Sequence, residues 1–134
     1  MNLLIALAWP SHVHHQEAQA WFAGKRRAGF RTCPLTQAGF VRISCNPKFS
    51  PDAVAPSDAL QLLEAITSLP EHDFWADDLS LEEALGKIQP LLAGHRQVTD
   101  AYLAGLAAVH GGILATLDRG ATALSRAVEL VRAS

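Results

Sequence analysis

Short strand-like runs alternate along this chain with amphipathic helical segments, and the connections between them are short. Leu60, Leu63, Ile66 and Leu69 recur every third residue before Pro70, which is typical of a helix packed on one face. The sequence predicts strands over 30–35, 72–76, 113–117 and 128–131 and helices over 2–8, 14–28, 57–69, 100–110 and 120–124, with further helices starting at Thr36 and after a Ser80/Glu83 capping box. This alternation predicts an α/β fold: a single domain over residues 1–134 with a mostly parallel sheet and helices on both faces.

Composition excludes several classes of protein. With 134 residues, 49% of them hydrophobic, the chain is long enough and apolar enough to bury a core, so a disordered chain is excluded. The apolar runs are too short or too interrupted to cross a membrane, and no basic segment or cleavage site marks a secretory signal. Two cysteines and a formal charge of −2 fit a soluble cytoplasmic protein that does not coat DNA nonspecifically.

Two acidic residues occupy positions where a ligand site is expected in such a fold. Asp118 directly follows the predicted strand over 113–117, and Asp100 lies in the first turn of the helix that leads into that strand. Ligands of open α/β sheets bind outside the carboxyl ends of the strands. The spacing permits both carboxylates in one cleft without requiring it, because Asp100 could instead complement the helix dipole and Asp118 could begin a turn.

Five stretches together resemble the PIN-domain toxins of VapC type. They lie in the expected order along nearly the whole chain: His12-Val-His-His, Thr32-Cys-Pro-Leu-Thr-Gln-Ala-Gly-Phe-Val-Arg-Ile-Ser, Asp73-Phe-Trp-Ala-Asp-Asp-Leu-Ser, Gly94-His-Arg-Gln-Val-Thr-Asp-Ala-Tyr-Leu and Leu114-Ala-Thr-Leu-Asp-Arg-Gly. The resemblance implies a parallel-sheet α/β domain that forms a homodimer, is inhibited by a cognate antitoxin and cleaves RNA as an endoribonuclease dependent on Mg²⁺, with Mn²⁺ as the alternative ion.

The family gathers four acids at one end of its sheet, and this chain matches that set only in part. Asp100 and Asp118 align with the third and fourth acids, which makes them the expected metal ligands and catalytic residues, while Gln37 stands where the second acid is usually Glu. Asn2 matches the Asn that follows the first acid, so that acid and the central first strand would precede Met1. We therefore expect low or no nuclease activity if the chain is complete, and Met1 could also be a start placed inside a longer reading frame.

The chemistry expected of these residues follows from their side chains. Mg²⁺ prefers oxygen ligands and activates a water for attack on the phosphodiester, whereas Gln37 can accept a hydrogen bond but cannot act as a base. Basic residues near the acids could contact RNA phosphate, with solvated loop charges as the alternative reading. These candidates are His95, Arg96, Arg119 and Arg42.

The sequence is also compatible with functions other than a toxin ribonuclease. The runner-up to a toxin ribonuclease is a catalytically impaired PIN module that binds antitoxin or RNA without cleavage. A receiver-like phosphoacceptor domain is a third reading, which the sequence disfavours because none of its three lysines follows a predicted strand. Three histidines, His12, His14 and His15, are expected to form a surface turn into the second helix rather than a zinc site, since no further ligand completes the spacing.

Overall fold

The computed structural model describes residues 2–49, 52–86, 97–118 and 128–131, and it confirms the predicted α/β class with parallel strands. The described elements in chain order are α1 (Asn2–Ala8), α2 (His15–Lys25), a 3-10 turn (Arg26–Ala28), β1 (Phe30–Thr32), α3 (Pro34–Ser44), α4 (Pro56–Thr67), β2 (His72–Phe74), α5 (Leu81–Gly86), α6 (Val98–Val109), β3 (Leu114–Thr116) and β4 (Val128–Leu130). The chain divides into two compact units, Met1–Asp77 and Asp78–Ala133. The expectation of one domain over 1–134 stays a prediction.

In the first unit, β1 pairs in parallel with β2, with Phe30 opposite His72 and Thr32 opposite Phe74. Gly29 adopts a left-handed φ of 85°, which lets the chain leave the 3-10 turn and enter β1 directly. Helix α3 then starts at once, because Pro34 suits the first helical position and the Thr36 hydroxyl accepts a hydrogen bond from the Cys33 amide at 3.0 Å. Phe40 on α3 is fully buried and anchors this unit's core.

The second unit contains α5, α6 and the parallel pair of β3 with β4, in which Leu114 lies opposite Val128 and Thr116 opposite Leu130. Every residue of α6 from 101 to 107 is buried, and most of them are small. The helix ends where Gly111 takes a left-handed φ of 70°. Helix α6 therefore forms the core of this unit.

Several predicted boundaries differ from the structure. The helix predicted over 100–110 begins two residues earlier, because α6 starts at Val98 and Gln97 occupies the capping position. Strand β1 is three residues long and ends earlier than predicted, because Pro34 starts α3 where β1 was expected to continue. The predicted helix over 120–124 lies outside the described residues.

One expectation at the residue level is confirmed. The Ser80/Glu83 capping box is present, with the Glu83 amide donating to the Ser80 hydroxyl at 3.1 Å and the Ser80 amide donating to Glu83 Oε1 at 3.2 Å. Cys33 and Cys45 are free thiols. Across the described ranges, no helix combines the length and the apolar character that crossing a membrane requires.

Candidate active site

The two acids singled out from the sequence both belong to the second unit. Asp100 is the third residue of α6, in the first helical turn, and Asp118 follows β3 by two residues. The turn after β3 is held by Thr116, which is buried at the end of the strand and whose hydroxyl oxygen accepts a hydrogen bond from the Asp118 amide at 3.1 Å. The backbone at Asp118 is thus fixed by the residue that ends the strand.

The electrostatics of Asp100 link it to Asp118. Asp100 is half-buried and Asp118 is exposed. Burial is the main cause that raises the pKa of the Asp100 carboxyl, and the negative charge of Asp118 makes a smaller contribution in the same direction. The charge of Asp118 therefore contributes a repulsion that disfavours ionisation of Asp100. A bound cation would relieve that repulsion and offset the cost of burying Asp100.

Tight packing against α5 positions the first turn of α6. A Cβ atom added to Gly105 would overlap the backbone carbonyl of Ala84 on α5, so the two helices touch backbone to backbone there. Tyr102, two residues after Asp100 on α6, donates a hydrogen bond from its hydroxyl to the Leu79 carbonyl at 3.0 Å. These contacts fix the helix that carries Asp100.

Gln37 lies in the first unit, near the start of α3, where it is half-buried. Its Nε2 atom donates a hydrogen bond to the Thr32 hydroxyl oxygen at 3.0 Å, and that hydroxyl lies 2.7 Å from Nε2 of His72. Thr32 is buried at the carboxyl end of β1, with 4% of its surface exposed. Sequence reasoning missed both Thr32 and His72, although a Thr at the carboxyl end of a strand is a signal that could have drawn attention to the first of them.

Asp77, which follows β2, has a structural role that the sequence did not indicate. Its Oδ2 atom accepts a hydrogen bond from the Leu35 amide at 3.2 Å, in the first turn of α3. A carboxylate at that position satisfies a free amide and complements the helix dipole. Its neighbour Asp78 instead lies 3.5 Å from Nε2 of His110.

Most of the residues predicted to contact RNA lie outside the part of the chain that the structure describes. His95, Arg96 and Arg119 lie outside the described residues. Arg42 is in the last turn of α3, five residues after Gln37. Its charge lies at the helix end where a cation complements the dipole.

Two of the three histidines, His12 and His14, lie in the turn between α1 and α2, and His15 is the first residue of α2, so the predicted turn into the second helix is present. The His14 amide donates to Nδ1 of His12 at 3.0 Å, and Nδ1 of His15 lies 2.7 Å from the Ala6 carbonyl oxygen. Within the described parts of the chain, no group of three or more His, Cys, Asp or Glu side chains could hold a metal ion. The acidic pair Asp100 and Asp118 nevertheless suits Mg²⁺, which binds proteins through one or two carboxylates and keeps several of its waters.

Comparison with known proteins identifies the family of this chain. The PIN-domain family model matches residues 2–127. Ribonuclease VapC38 of Mycobacterium tuberculosis strain H37Rv is 46% identical over 126 residues, which cover 94% of this chain and 87% of that protein. Ribonuclease VapC39 from strain CDC 1551 is 45% identical over 118 residues, covering 88% and 85%, and Ribonuclease VapC44 from the same strain is 36% identical over 119 residues, covering 89% and 83%. The chain therefore belongs to the PIN-domain family, among its VapC-type members.

Proposed function

We propose that this chain is the toxin of a type II toxin–antitoxin system and acts as a Mg²⁺-dependent endoribonuclease, with Mn²⁺ able to replace Mg²⁺. The relatives named ribonuclease support the reaction class. The observation that carries the proposal is the placement of two acids in one compact unit: half-buried Asp100 lies in the first turn of α6, and exposed Asp118 follows β3, the strand against which α6 packs. Two acids in that relation are a natural receptor for a divalent cation.

Each acid has a distinct task in this proposal. Asp100, held on the packed helix α6, supplies a fixed oxygen ligand, and the exposed Asp118 supplies a second one from the turn after β3. When bound, Mg²⁺ lowers the pKa of a water, orients that water for in-line attack on the phosphodiester and offsets charge on the leaving oxygen. Thr116 keeps the Asp118 backbone in place through its hydrogen bond to the Asp118 amide.

Gln37 is the third residue that we assign to catalysis, on the basis of the resemblance. Its amide can accept or donate a hydrogen bond, but it cannot take up a proton as the Glu expected at that position could. We therefore propose that the residue helps to hold the reacting groups and leaves proton transfer to others. The rate of cleavage is expected to be low for a member of this family.

A second function is favoured by the residue at position 37. Gln37 stands where the resemblance places an acid, which leaves Asp100 and Asp118 as the two acids assigned to the candidate site. A PIN module with a weakened metal site could bind antitoxin or RNA without cutting. The two functions share their partners and differ in whether Mg²⁺ produces cleavage.

The partners of this chain are part of the proposal. RNA is the substrate, with its phosphates contacted by His95, Arg96, Arg119 and Arg42, and a cognate antitoxin is the inhibitor. A homodimer in the cytoplasm is the expected state of the free protein.

RNA cleavage by the purified chain tests the proposal. We expect cleavage with Mg²⁺, none with EDTA, and a loss of about 100-fold or more in Asp100→Asn. Asp58→Asn is the matched control, because Asp58 is also the third residue of its helix, α4, but is exposed. Cleavage that survives EDTA or Asp100→Asn would refute the metal role. RNA binding without Mg²⁺-dependent cleavage would favour the non-cleaving module.

A further inference from the structure

A histidine side chain closes the turn between α1 and α2. The backbone amide of His14 donates a hydrogen bond to Nδ1 of His12 at 3.0 Å, so the ring accepts a proton from the residue two positions later. The His15 amide donates to the His12 carbonyl oxygen at 3.0 Å, and α2 begins at His15. The His12 ring therefore stabilises the turn from which the second helix starts.

Asn and Asp side chains usually make this kind of bond. In an Asx turn, the side-chain oxygen accepts from the backbone amide two residues later. Asn46 does so in this chain, because its Oδ1 atom accepts from the Lys48 amide at 3.0 Å. Nδ1 of His12 corresponds to that oxygen, since both atoms are bonded to Cγ. His12 thus forms a turn of the same kind with a group that, unlike the Asn amide, can gain a proton.

The bond to His14 determines where the His12 protons lie. An imidazole nitrogen that accepts a hydrogen bond carries no proton, so neutral His12 has its proton on Nε2. A second proton can only go to Nδ1, which then becomes a donor and faces another donor, the His14 amide. Protonation of His12 is therefore incompatible with the hydrogen bond that closes the turn.

The titratable groups that act on His12 are two other histidines. Burial, followed by the charges of His14 and His15, lowers the pKa of His12 below its ordinary 6.5. The His12 and His14 ring centres lie 5.8 Å apart, and the nearby Glu17 carboxylate lies 3.2 Å from Nδ1 of His14. Protonated His12 would thus be a cation beside two groups that also gain positive charge as the pH falls.

His12 also lines a cavity of about 190 Å³ in the first unit. The other lining residues come from α1, α3 and the loops that follow these helices, and none of them is ionisable: Ile5, Trp9, Ser11, Ile43, Ser44 and Phe49. The Trp9 indole nitrogen donates to the Ser44 hydroxyl oxygen at 3.1 Å, which ties the end of α1 to α3 beside the cavity. A movement of the His12 ring therefore changes the wall of this cavity.

Other bonds connect α2 to α1 independently of His12. Nδ1 of His15 lies 2.7 Å from the Ala6 carbonyl oxygen, and Nε2 of Gln19 donates to the Leu7 carbonyl oxygen at 2.9 Å. A protonated histidine has N–H groups on both ring nitrogens, so the bond from His15 to Ala6 is kept in acid. Loss of the His12 bond therefore frees the turn while α2 stays attached to α1.

We propose that His12 is a pH-sensitive switch: a proton taken from solvent onto its Nδ1 atom breaks the bond to the His14 amide, frees the turn between α1 and α2 and opens the cavity that this turn borders. The switch is a property of the first unit, and it holds whether or not the chain cleaves RNA.

Nuclear magnetic resonance of the ¹⁵N-labelled chain tests the switch. The quantity to measure is the protection factor, which divides the intrinsic exchange rate of an amide proton at each pH by its observed rate. Between about pH 8 and about pH 5, the His14 amide should lose about 5-fold in protection, as expected for one net hydrogen bond. The midpoint should lie below 6.5, because the pKa of His12 is lowered.

Two further signals of the unaltered chain are informative. At the upper pH, Nδ1 of His12 should be unprotonated, and at the lower pH the Trp9 indole proton should exchange faster because the cavity has opened. The Lys48 amide is the internal control: its acceptor, Asn46, does not titrate, so its protection should stay constant.

His12→Asn separates the acceptor from its titration. Asn supplies an oxygen to the His14 amide and does not ionise, so the protection of that amide should stay high across the whole pH range. His12→Ala supplies no acceptor, so protection should be low throughout. His110→Asn is the matched control, because it removes a histidine of the second unit and should leave the pH dependence at His14 unchanged.

Three results would overturn the inference. The first is a His12 ring protonated on Nδ1 at the upper pH, and the second is a His14 amide or Trp9 indole that is as protected at the lower pH as at the upper one. Both are measured on the unaltered chain and do not depend on any variant folding. The third is a pH dependence at His14 that persists in His12→Asn.

Discussion

Replacing Gly105 by Ala tests whether the contact between α5 and α6 positions the candidate site. A Cβ atom at Gly105 would lie 2.6 Å from the carbonyl carbon of Ala84, whereas ordinary van der Waals contact begins at 3.4 Å. The helices would have to separate by about 1 Å, since both partners are backbone atoms and no side chain can rotate away. The substitution therefore strains the second unit.

The net effect on stability combines two opposing contributions. Ala is favoured over Gly inside a helix by about 1 kcal/mol, while forcing extra volume into a packed contact costs about 1–3 kcal/mol and more where backbone must move. We expect Gly105→Ala to lower the free energy of unfolding by about 2 kcal/mol, which corresponds to a fall in Tm of about 7 °C for a chain of this size.

Activity should fall as well, because the displaced helix carries Asp100 five residues earlier. A misplacement of about 1 Å in a catalytic group can reduce the rate about 100-fold. Urea unfolding followed by circular dichroism and RNA cleavage by the folded protein measure the two effects. Gly24→Ala on α2 is the matched control: a Cβ there meets nothing within 4 Å, so this variant should be as stable as the unaltered chain or more so.

Two outcomes would refute this reasoning. If Gly105→Ala unfolds at the same urea concentration as the unaltered chain, α5 and α6 are not in backbone contact. If its stability falls but its cleavage rate does not, the contact holds the unit together without positioning Asp100.

Three further predictions follow from the site and its surroundings. Folding raises the pKa of Asp100 above its ordinary 3.8, so ionised Asp100 lowers the stability of the fold at pH values above the folded-state pKa, and this cost disappears as the pH falls below 3.8. At pH 7 in EDTA, Asp100→Asn should therefore unfold at a higher urea concentration than the unaltered chain. An unfolding midpoint equal to or lower than that of the unaltered chain would contradict this prediction. Gln37→Glu should raise the rate of Mg²⁺-dependent cleavage by at least about 10-fold, because a group able to transfer protons is restored. An unchanged rate would show that residue 37 takes no part in catalysis. Ser80→Ala should lower the free energy of unfolding by about 1 kcal/mol in urea titrations, since the Glu83 amide loses its acceptor, and an unchanged midpoint would mean that the capping box adds nothing to stability.

Local sequence patterns predicted the order and type of the described elements but not their ends. The centres of β1 and β3 follow from their apolar and β-branched residues, whereas the end of β1 depends on Pro34 and on the bond between Thr36 and the Cys33 amide. The start of α6 was predicted at Asp100, two residues after its actual start at Val98, because local pattern does not fix the last turn of a helix.

The candidate site was predictable only for residues that stand out by chemical type. Asp100, Asp118 and Gln37 could be named from the chain, but the raised pKa of Asp100 depends on tertiary burial. The bond from Thr32 to His72 joins residues 40 positions apart. No local pattern indicates such a contact, so the hydrogen bonds from Gln37 to Thr32 and from Thr32 to His72 became visible only in the structure.

The small residues of α6 have a consequence for the entropy of folding. Ala and Gly lose almost no rotamer freedom on burial, whereas each long side chain that is immobilised costs up to about 2 kcal/mol. Four of the seven buried residues from 101 to 107 are Ala or Gly: Ala101, Ala104, Gly105 and Ala107. The helix that carries Asp100 is thus made rigid with little loss of side-chain conformational entropy, so the carboxylate can be held in one place before any cation arrives.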